Sequence, residues 1–266
     1  MGICEYQIQD MGIYLNGLQK SVVDKMFFVD KIFEPITTIV DFGCANGELI
    51  KALQLCFREY RYIGYDINED MLCAAKANAP DAEYYAHWED ISVDVATSLL
   101  NISSTIHEVY SYSSEEEIAL FWERVFHSGF QYIAIRDMMF SEQEKQYLNQ
   151  DHLTLVRENI TYRDKLRDYE SLWGPIASQH DLLHYLLKYK YAQNWEREVR
   201  ENYVPLTIEQ LFSILPEEYE IAYMDHFTLP YIAWQIREDF QLDVCTPTHI
   251  KMILKRKSVT EEPNHG

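Results

Sequence analysis

The sequence predicts an α/β protein: a seven-stranded, mostly parallel sheet with helices on both faces and a helical insertion before the last two strands. Three observations carry that expectation. Short β-branched or aromatic runs recur through the first half of the chain, each followed by a segment whose apolar residues return every three to four positions. These runs are apolar throughout and do not alternate, the pattern of strands covered on both faces. The alternation of runs and helical segments stops at 141 and resumes near 219.

Taken in order, residues 17–33 place Leu18, Val22, Val23, Met26, Phe27 and Ile32 near one face of an amphipathic helix that ends at Pro35. Residues 36–42 (ITTIVDF) form the first strand, and 46–57 resume helical spacing through Leu49, Ile50, Leu53 and Leu55. After the second strand at 62–65, Asn68 caps a helix with Glu69 and Asp70 at its positive end. Strands follow at 83–86 and 95–102. Ser114 with Glu117 forms a capping box for a helix that runs to about His127; Gly129 ends it before the strand at 132–136. Ser141 with Glu144 is another capping box. It opens a region that reads as helical to 205, with a long stretch over 176–202. Thr207 with Gln210 caps one more helix, and 219–224 and 249–255 read as the last strands. The expected organisation is an N-terminal helical segment (1–35), a core (36–140), a helical insertion (141–216), strands completing the sheet (217–257) and a frayed tail (258–266).

Composition narrows the function. The 266 residues include 43 Asp and Glu against 23 Lys and Arg, a formal charge of −20. Lys and Arg are what hold a phosphate backbone, so coating duplex DNA is disfavoured. No stretch approaches the roughly 20 apolar residues of a membrane helix. The opening MGICEYQIQD lacks a basic-then-apolar secretory pattern, and Tyr6 stands where myristoylation wants Ser or Thr. Five widely spaced cysteines without a CxxC predict neither a disulfide framework nor a structural zinc site. A reduced, cytoplasmic protein without a metal is the expectation. The 141–205 region carries 11 acidic and 9 basic residues with Trp173, Trp195 and seven tyrosines, so it is nearly neutral and aromatic. It is the expected place for acceptor contacts, or else a helical cap with its own small core.

The chemistry-bearing residues cluster at strand ends. Between the first strand and its helix, Val40-Asp41-Phe42-Gly43-Cys44-Ala45-Asn46-Gly47 lets a ligand approach the backbone at a helix amino end. A dinucleotide GxGxxG would need glycine where Ala45 and Glu48 stand, which disfavours a nicotinamide dehydrogenase. Asp66 ends the second strand, where a carboxylate accepts both hydroxyls of a ribose. His87-Trp88-Glu89-Asp90 follows the third strand, an aromatic ring and carboxylates able to flank an adenine.

Together these three segments resemble the class I S-adenosylmethionine-dependent methyltransferases, over 36–140 and the last two strands. VDFGCANG is similar to that family's first motif, with Ala45 at the often-glycine middle position; IGYDIN resembles the second; HWED resembles the adenine-edge motif. The resemblance implies a Rossmann-like fold, S-adenosyl-L-methionine as cofactor, and 36–140 as the unit that binds it. It implies contacts from Asp41, Gly43, Cys44, Ala45, Asn46 and Gly47, from Asp66, Ile67 and Met71, from Trp88, Glu89 and Asp90, and from Ile102, Ser103 and Ser104. Cys44 reads as a loop filler whose neighbours' backbone matters. The resemblance also implies that Lys20, Ser21, Asp24 and Lys25 could close over the cofactor, as helices before the first strand often do in this family.

Methyl transfer needs an acceptor aligned with the methyl carbon, and a nitrogen or oxygen acceptor can also need a base. The candidates at the carboxyl ends of strands four and five are His107, Glu108 and Arg136, with Asp137, Tyr110 and Tyr112 beside them. Adjacent on a helix, His107 and Glu108 diverge by about 100° and cannot both face one point, so at most one of them serves as the base; packing against the cofactor and a structural carboxylate are their plainer roles. Arg136 either holds an anionic acceptor or pairs with Asp137 or Glu108.

His180 and His184, one helical turn apart, continue along one face to Tyr191 and Trp195: a pocket wall, or a helix–helix seam. The spacing resembles HExxH with Asp181 in place of the glutamate and no third ligand, which disfavours a metallopeptidase. Lys188, Lys190, Arg197 and Arg200 interleave with Tyr189, Tyr191 and Trp195, a pattern that can bind single-stranded RNA, although Glu196, Glu198 and Glu201 dilute it. A small or medium-sized acceptor is the preferred reading. An RNA or protein acceptor, and a non-catalytic cofactor-binding scaffold, are the alternatives.

Overall fold

The computed structural model describes residues 21–257. Seven strands make one sheet in the order β3-β2-β1-β4-β5-β7-β6. The strands β1 (Thr38–Phe42), β2 (Arg61–Tyr65), β3 (Glu83–Tyr85), β4 (Ser98–Ser103) and β5 (Tyr132–Met138) run parallel. β7 (His249–Arg256) runs antiparallel between β5 and β6 (Tyr219–Phe227). Every residue of the central strands β1 and β4 is buried, which is why their sequences show no alternation.

Helices on the crossovers cover both faces. On one side Leu49, Ile50 and Leu53 of α1 (Glu48–Cys56) and Leu72 of α2 (Glu69–Asn78) pack against Ile39, Tyr62, Leu99 and Ile253. On the other, Ile106 of α3 (Ile106–Tyr112) and Phe121, Trp122, Val125 and Phe126 of α4 (Glu115–His127) pack against Val40, Leu100, Ile133 and Ile250. Local signals place these helices. Asn68 Oδ1 accepts the Asp70 and Met71 N–H groups at 3.0 and 3.1 Å, and Ser114 and Glu117 form a reciprocal capping box.

The insertion has its own core. It comprises α5 (Gln150–Glu158), α6 (Arg163–Trp173), α7 (Gln179–Leu186), the single turn α8 (Trp195–Glu198) and α9 (Ile208–Ile214), which Thr207 and Gln210 cap as expected. Leu153, Leu166, Tyr169, Leu182 and Tyr185 pack around Phe140. Ser141 caps only a short 3-10 turn, Glu142–Lys145, and donates its hydroxyl to Glu209 instead of completing a box with Glu144.

Several expected elements change. The helical stretch over 176–202 is broken after Leu186, because Lys188 turns inward and its Nζ donates to the carbonyl oxygens of Glu198 and Glu201. That tertiary contact outweighs helix propensity. A helix that the sequence pattern had not suggested, α10 (Pro230–Phe240), joins the C-terminal segment to the insertion by burying Ile236 and Phe240 in the insertion core. Of the helix expected over 17–33, residues 21–25 are helical and 26–31 form turns, with Phe28 folded into the core; 17–20 lie outside the described residues, as does the expected tail from 258. A cleft of about 270 Å³ lined by Phe28, Ile32, Ile36, Ile39 and Tyr60 opens at the amino end of β1, opposite the strand-end loops. Among the described residues no helix is long and apolar enough to cross a membrane.

Candidate active site

The turn from β1 into α1 alternates backbone handedness: Gly43, Ala45 and Gly47 have φ of +74°, +46° and +75°. Glycine is required at the first of these. A Cβ on Gly43 would stand 2.7 Å from Thr105 Oγ1, so its absence lets the β1 and β4 turns touch. Cys44 is buried, and its thiol is pushed well up by burial and the nearby carboxylates of Asp41 and Asp66. Asn46 is 3% exposed, its backbone carbonyl accepts from Asn78 Nδ2 at 2.9 Å, and its side-chain Oδ1 has no hydrogen-bond partner. An orphaned buried acceptor is costly in a finished protein and marks a place where a ligand donor belongs.

Asp41 and Asp66 hold the loops around that turn. Asn101 Nδ2 donates to Asp41 Oδ1 at 2.7 Å. Burial pushes the Asp41 carboxyl up to about 6, against the pull of that bond and of Lys25. Asp66 Oδ2 accepts the Ala45 N–H at 2.8 Å and Oδ1 the Asn68 N–H at 2.9 Å. Ile67, 59% exposed, stands beside this carboxylate, and Met71 is buried below.

The other strand-end residues are placed as follows. Trp88 packs inward, 5.3 Å from the Phe42 ring and 5.4 Å from Tyr65. Glu89 pairs with Arg124, and Asp90 is exposed. Ile102 is core; Ser103 donates to Asn101 Oδ1 at 3.0 Å. Ser104 has φ +58°, a strained value for a non-glycine residue, and is held there by Arg136: its N–H donates to the Arg136 carbonyl at 2.8 Å and its hydroxyl accepts from Arg136 Nη1 at 3.0 Å. Arg136 Nε also donates to Asp24 Oδ2 at 2.8 Å, and Lys251 pairs with the other oxygen of Asp24. The neighbouring Lys25 is buried; desolvation and Arg136 bring its ammonium down to about 8, although Asp41, Asp137 and Glu108 oppose the shift.

Asp137 organises the start of α3. Its Oδ2 accepts the Thr105 and Ile106 N–H groups at 3.0 and 2.8 Å, and its Oδ1 lies 2.8 Å from His107 Nδ1. Burial disfavours protonated His107, but Asp137, with Glu108 and Glu201 beyond it, outweighs burial and raises the ring to about 9. Glu108 pairs with Arg197 at 3.2 Å, and Arg197 also holds Glu201 at 2.7 Å. Burial and Glu201 push the Glu108 carboxyl up from its ordinary value, against His107 and Arg197. Tyr112 donates to Glu201 at 2.7 Å. Tyr191 meets Tyr203 with ring centroids 6.3 Å apart at 86°.

His107, Glu108, Tyr112 and Tyr191 are therefore linked through Arg197, Glu201 and Tyr203, with His184 behind Tyr203; Arg136 sits on the Asp24 and Ser104 side, and Tyr110, His180 and Trp195 lie elsewhere. Tyr110 accepts from Trp122 Nε1. His180 rests edge-on against Phe140. His184 is fully engaged: Nε2 accepts the Tyr203 N–H at 3.2 Å and Nδ1 faces the Tyr169 hydroxyl at 3.0 Å. Burial takes its pKa well down, so it is neutral. Trp195 donates to Asp168 at 3.1 Å and stacks under Lys165. Nor do the four cations of the RNA-like stripe share a surface: Lys188 and Arg197 are buried and Lys190 pairs with Asp239. Sequence reasoning missed Asn101, Thr105 and Tyr203. It read Arg197, Glu198 and Glu201 only as surface charge, although the i, i+4 spacing of Arg197 and Glu201 was a visible signal.

No protein-family model matches the sequence, and no curated protein does either. Among solved structures the chain is similar to a SAM-dependent methyltransferase from Anabaena variabilis, at 16% identity over 90% of this chain and 85% of that one, with a TM-score of 0.51. It is also similar to a candidate S-adenosylmethionine-dependent methyltransferase from Listeria monocytogenes, at 14% identity over 89% of this chain and 99% of that one, with a TM-score of 0.50. What these proteins share with this chain is the fold: a Rossmann-like, seven-stranded α/β architecture of the class I S-adenosylmethionine-dependent methyltransferases.

Proposed function

We propose that the chain is a methyltransferase that binds S-adenosyl-L-methionine at the carboxyl ends of β1 to β4 and methylates a nitrogen or oxygen of a small or medium-sized acceptor under the helical insertion. The observation that carries the reading is the orphaned Asn46 Oδ1 in the left-handed 43–47 turn. The cofactor's ammonium is a donor of the kind it lacks, the Asp66 carboxylate at the end of β2 is an acceptor of the kind ribose hydroxyls need, and the exposed side chain of Ile67 suits a purine face. Bound S-adenosylmethionine supplies a methyl carbon already activated by a sulfonium leaving group.

The chain's own residues then bind, align and accept a proton. Gly43 and Gly47 let the backbone approach the cofactor. Protonated His107, locked on Asp137, orients the first turn of α3 and is not available as a base. Glu108, on the same turn, is the group left to accept the acceptor's proton. Arg136 positions the 21–25 segment and the Ser104 turn. The free thiols of Cys44, Cys56, Cys73 and Cys245 fit the reducing cytoplasm.

Thermal unfolding with S-adenosylmethionine, S-adenosylhomocysteine, NADH or no ligand tests this. A ligand that binds only the folded state adds about 2.7 kcal/mol at a hundredfold excess over its Kd. The midpoint is expected to rise with the two sulfur ligands and not with NADH. No shift with either at millimolar concentration overturns the proposal.

A further inference from the structure

Four lysines and arginines are buried among the described residues: Lys25, Arg136, Lys188 and Arg197. Three of them meet acceptors. Arg136 donates to Asp24 and Ser104, Arg197 pairs with Glu108 and Glu201, and Lys188 donates to the carbonyl oxygens of Glu198 and Glu201. Lys25 is the exception: it is 8% exposed, and among the described residues its ammonium makes neither a hydrogen bond nor an ion pair. An ammonium taken out of water without an acceptor destabilises the fold, so the site calls for a ligand that supplies one.

The place of that ammonium is set, although its charge is unmatched. Asp24, the residue before it, is tied to Arg136 of β5 and Lys251 of β7, which fixes the 21–25 segment over the strand ends. Burial and then Arg136 bring the ammonium down to about 8, and Asp41, Asp137 and Glu108 oppose this from beyond ion-pair reach. Asp41 in turn lies on β1, just before the 43–47 turn in which Asn46 Oδ1 is buried without a donor. One group needs an anionic oxygen and the other an N–H. An amino acid carries both, as an α-carboxylate and an α-ammonium. A diamine would leave Lys25 unmatched, and a plain carboxylate or phosphate would leave Asn46 so.

Building on the methyltransferase reading, we propose that Lys25 is the residue that binds the α-carboxylate at the methionine end of the cofactor, with the α-ammonium on Asn46 Oδ1. The carboxylate supplies the counter-charge that the buried ammonium lacks. The ion pair also joins the 21–25 segment to the ligand, so the segment selects, among adenine nucleosides, those that end in an amino acid. Arg136 is the poorer candidate for this role, because its Nε and Nη1 are already given to Asp24 and Ser104.

The test is calorimetry on the full chain with S-adenosylhomocysteine, with its decarboxylated analogue, which keeps the amine, and with methylthioadenosine, which lacks both groups. The unaltered protein should prefer S-adenosylhomocysteine. Lys25→Met should weaken that ligand about 30-fold or more and leave the other two within about twofold, which also shows that the variant is folded. Lys25→Gln should do the same, and Lys25→Arg should keep the preference for the carboxylate. Without ligand, Lys25→Met should unfold at no lower urea concentration than the unaltered protein, because it removes an unmatched buried charge. A purely structural lysine would instead weaken all three ligands together and lower stability. That result overturns the assignment of Lys25. So does an unchanged affinity of Lys25→Met for S-adenosylhomocysteine, which would leave the ammonium to an anionic acceptor. Binding of none of the three ligands by the unaltered protein instead overturns the methyltransferase reading beneath it.

Discussion

Asp137 and His107 face each other at 2.8 Å in the interior, and the same carboxylate accepts two backbone N–H groups at the start of α3. One side chain thus caps the helix and fixes the ring on its first turn. Adjacent helical positions diverge, so holding His107 against Asp137 turns Glu108 toward Arg197 of the insertion. The strand-end Asp137 thereby decides which of two neighbouring titratable residues is held in the interior and which faces the insertion.

The first prediction is a pH signature. His107 is raised to about 9 from an unfolded value of 6.5, so its stabilisation is complete below about 6.5 and is lost as pH rises through about 9. Lys25 and Lys188, lowered to about 8 and about 7, act in the opposite direction and add stability as pH rises. Comparison with His107→Asn removes their contribution. The wild-type margin over that variant should shrink by on the order of 3 kcal/mol between about pH 6 and pH 10, read by urea unfolding. A margin that stays constant would mean that His107 is neutral in the folded protein.

A second prediction concerns Gly43. Alanine there forces a side chain into φ +74° and brings a Cβ to 2.7 Å from Thr105 Oγ1, disturbing the hydroxyl that donates to the Phe42 carbonyl at 3.2 Å. Gly174 has φ +84° with nothing near its missing Cβ. Gly174→Ala should therefore cost only the backbone strain, about 1–3 kcal/mol, and Gly43→Ala its own strain plus a clash of about 1–3 kcal/mol. Parallel denaturation curves give the difference; S-adenosylhomocysteine affinity should fall for Gly43→Ala alone.

Asp66→Ala is expected to weaken S-adenosylhomocysteine binding at least about tenfold and to lower stability by about 1–3 kcal/mol, since the Ala45 and Asn68 N–H groups lose their acceptor. Calorimetric titration with parallel urea unfolding checks both. Unchanged affinity would place the ribose elsewhere.

The strands and the 41–47 and 66–71 loops were legible because their signals are local: β-branched runs, a glycine at a strand end, Asn68 two residues before the N–H it caps. The insertion was less so. Nothing near Lys188 in the sequence shows that its ammonium will meet carbonyls 10 and 13 residues away. The Glu108–Arg197 and Tyr112–Glu201 contacts join positions 89 apart, so a charged stripe that resembled a surface is an interior network. α10 did carry a local signal, Pro230 followed by Ile232, Ile236 and Phe240 at four-residue intervals. Lying between two strand-like runs, that signal reads equally as a connection.

The last prediction tests the 21–25 segment. Asp24 ties it to β5 through Arg136 and to β7 through Lys251, and Arg136 in turn holds the strained Ser104 turn at the end of β4. Asp24→Asn keeps the shape and removes the charge both cations share. Hydrogen exchange at 21–25 should accelerate, and S-adenosylhomocysteine should dissociate several-fold faster, because the buried Lys25 that follows Asp24 is no longer held in place. Arg136→Met should reproduce both effects. The double variant should add little to either single one, since both remove the same ion pair. Full additivity would instead mean that Arg136 acts on the Ser104 turn independently of the segment.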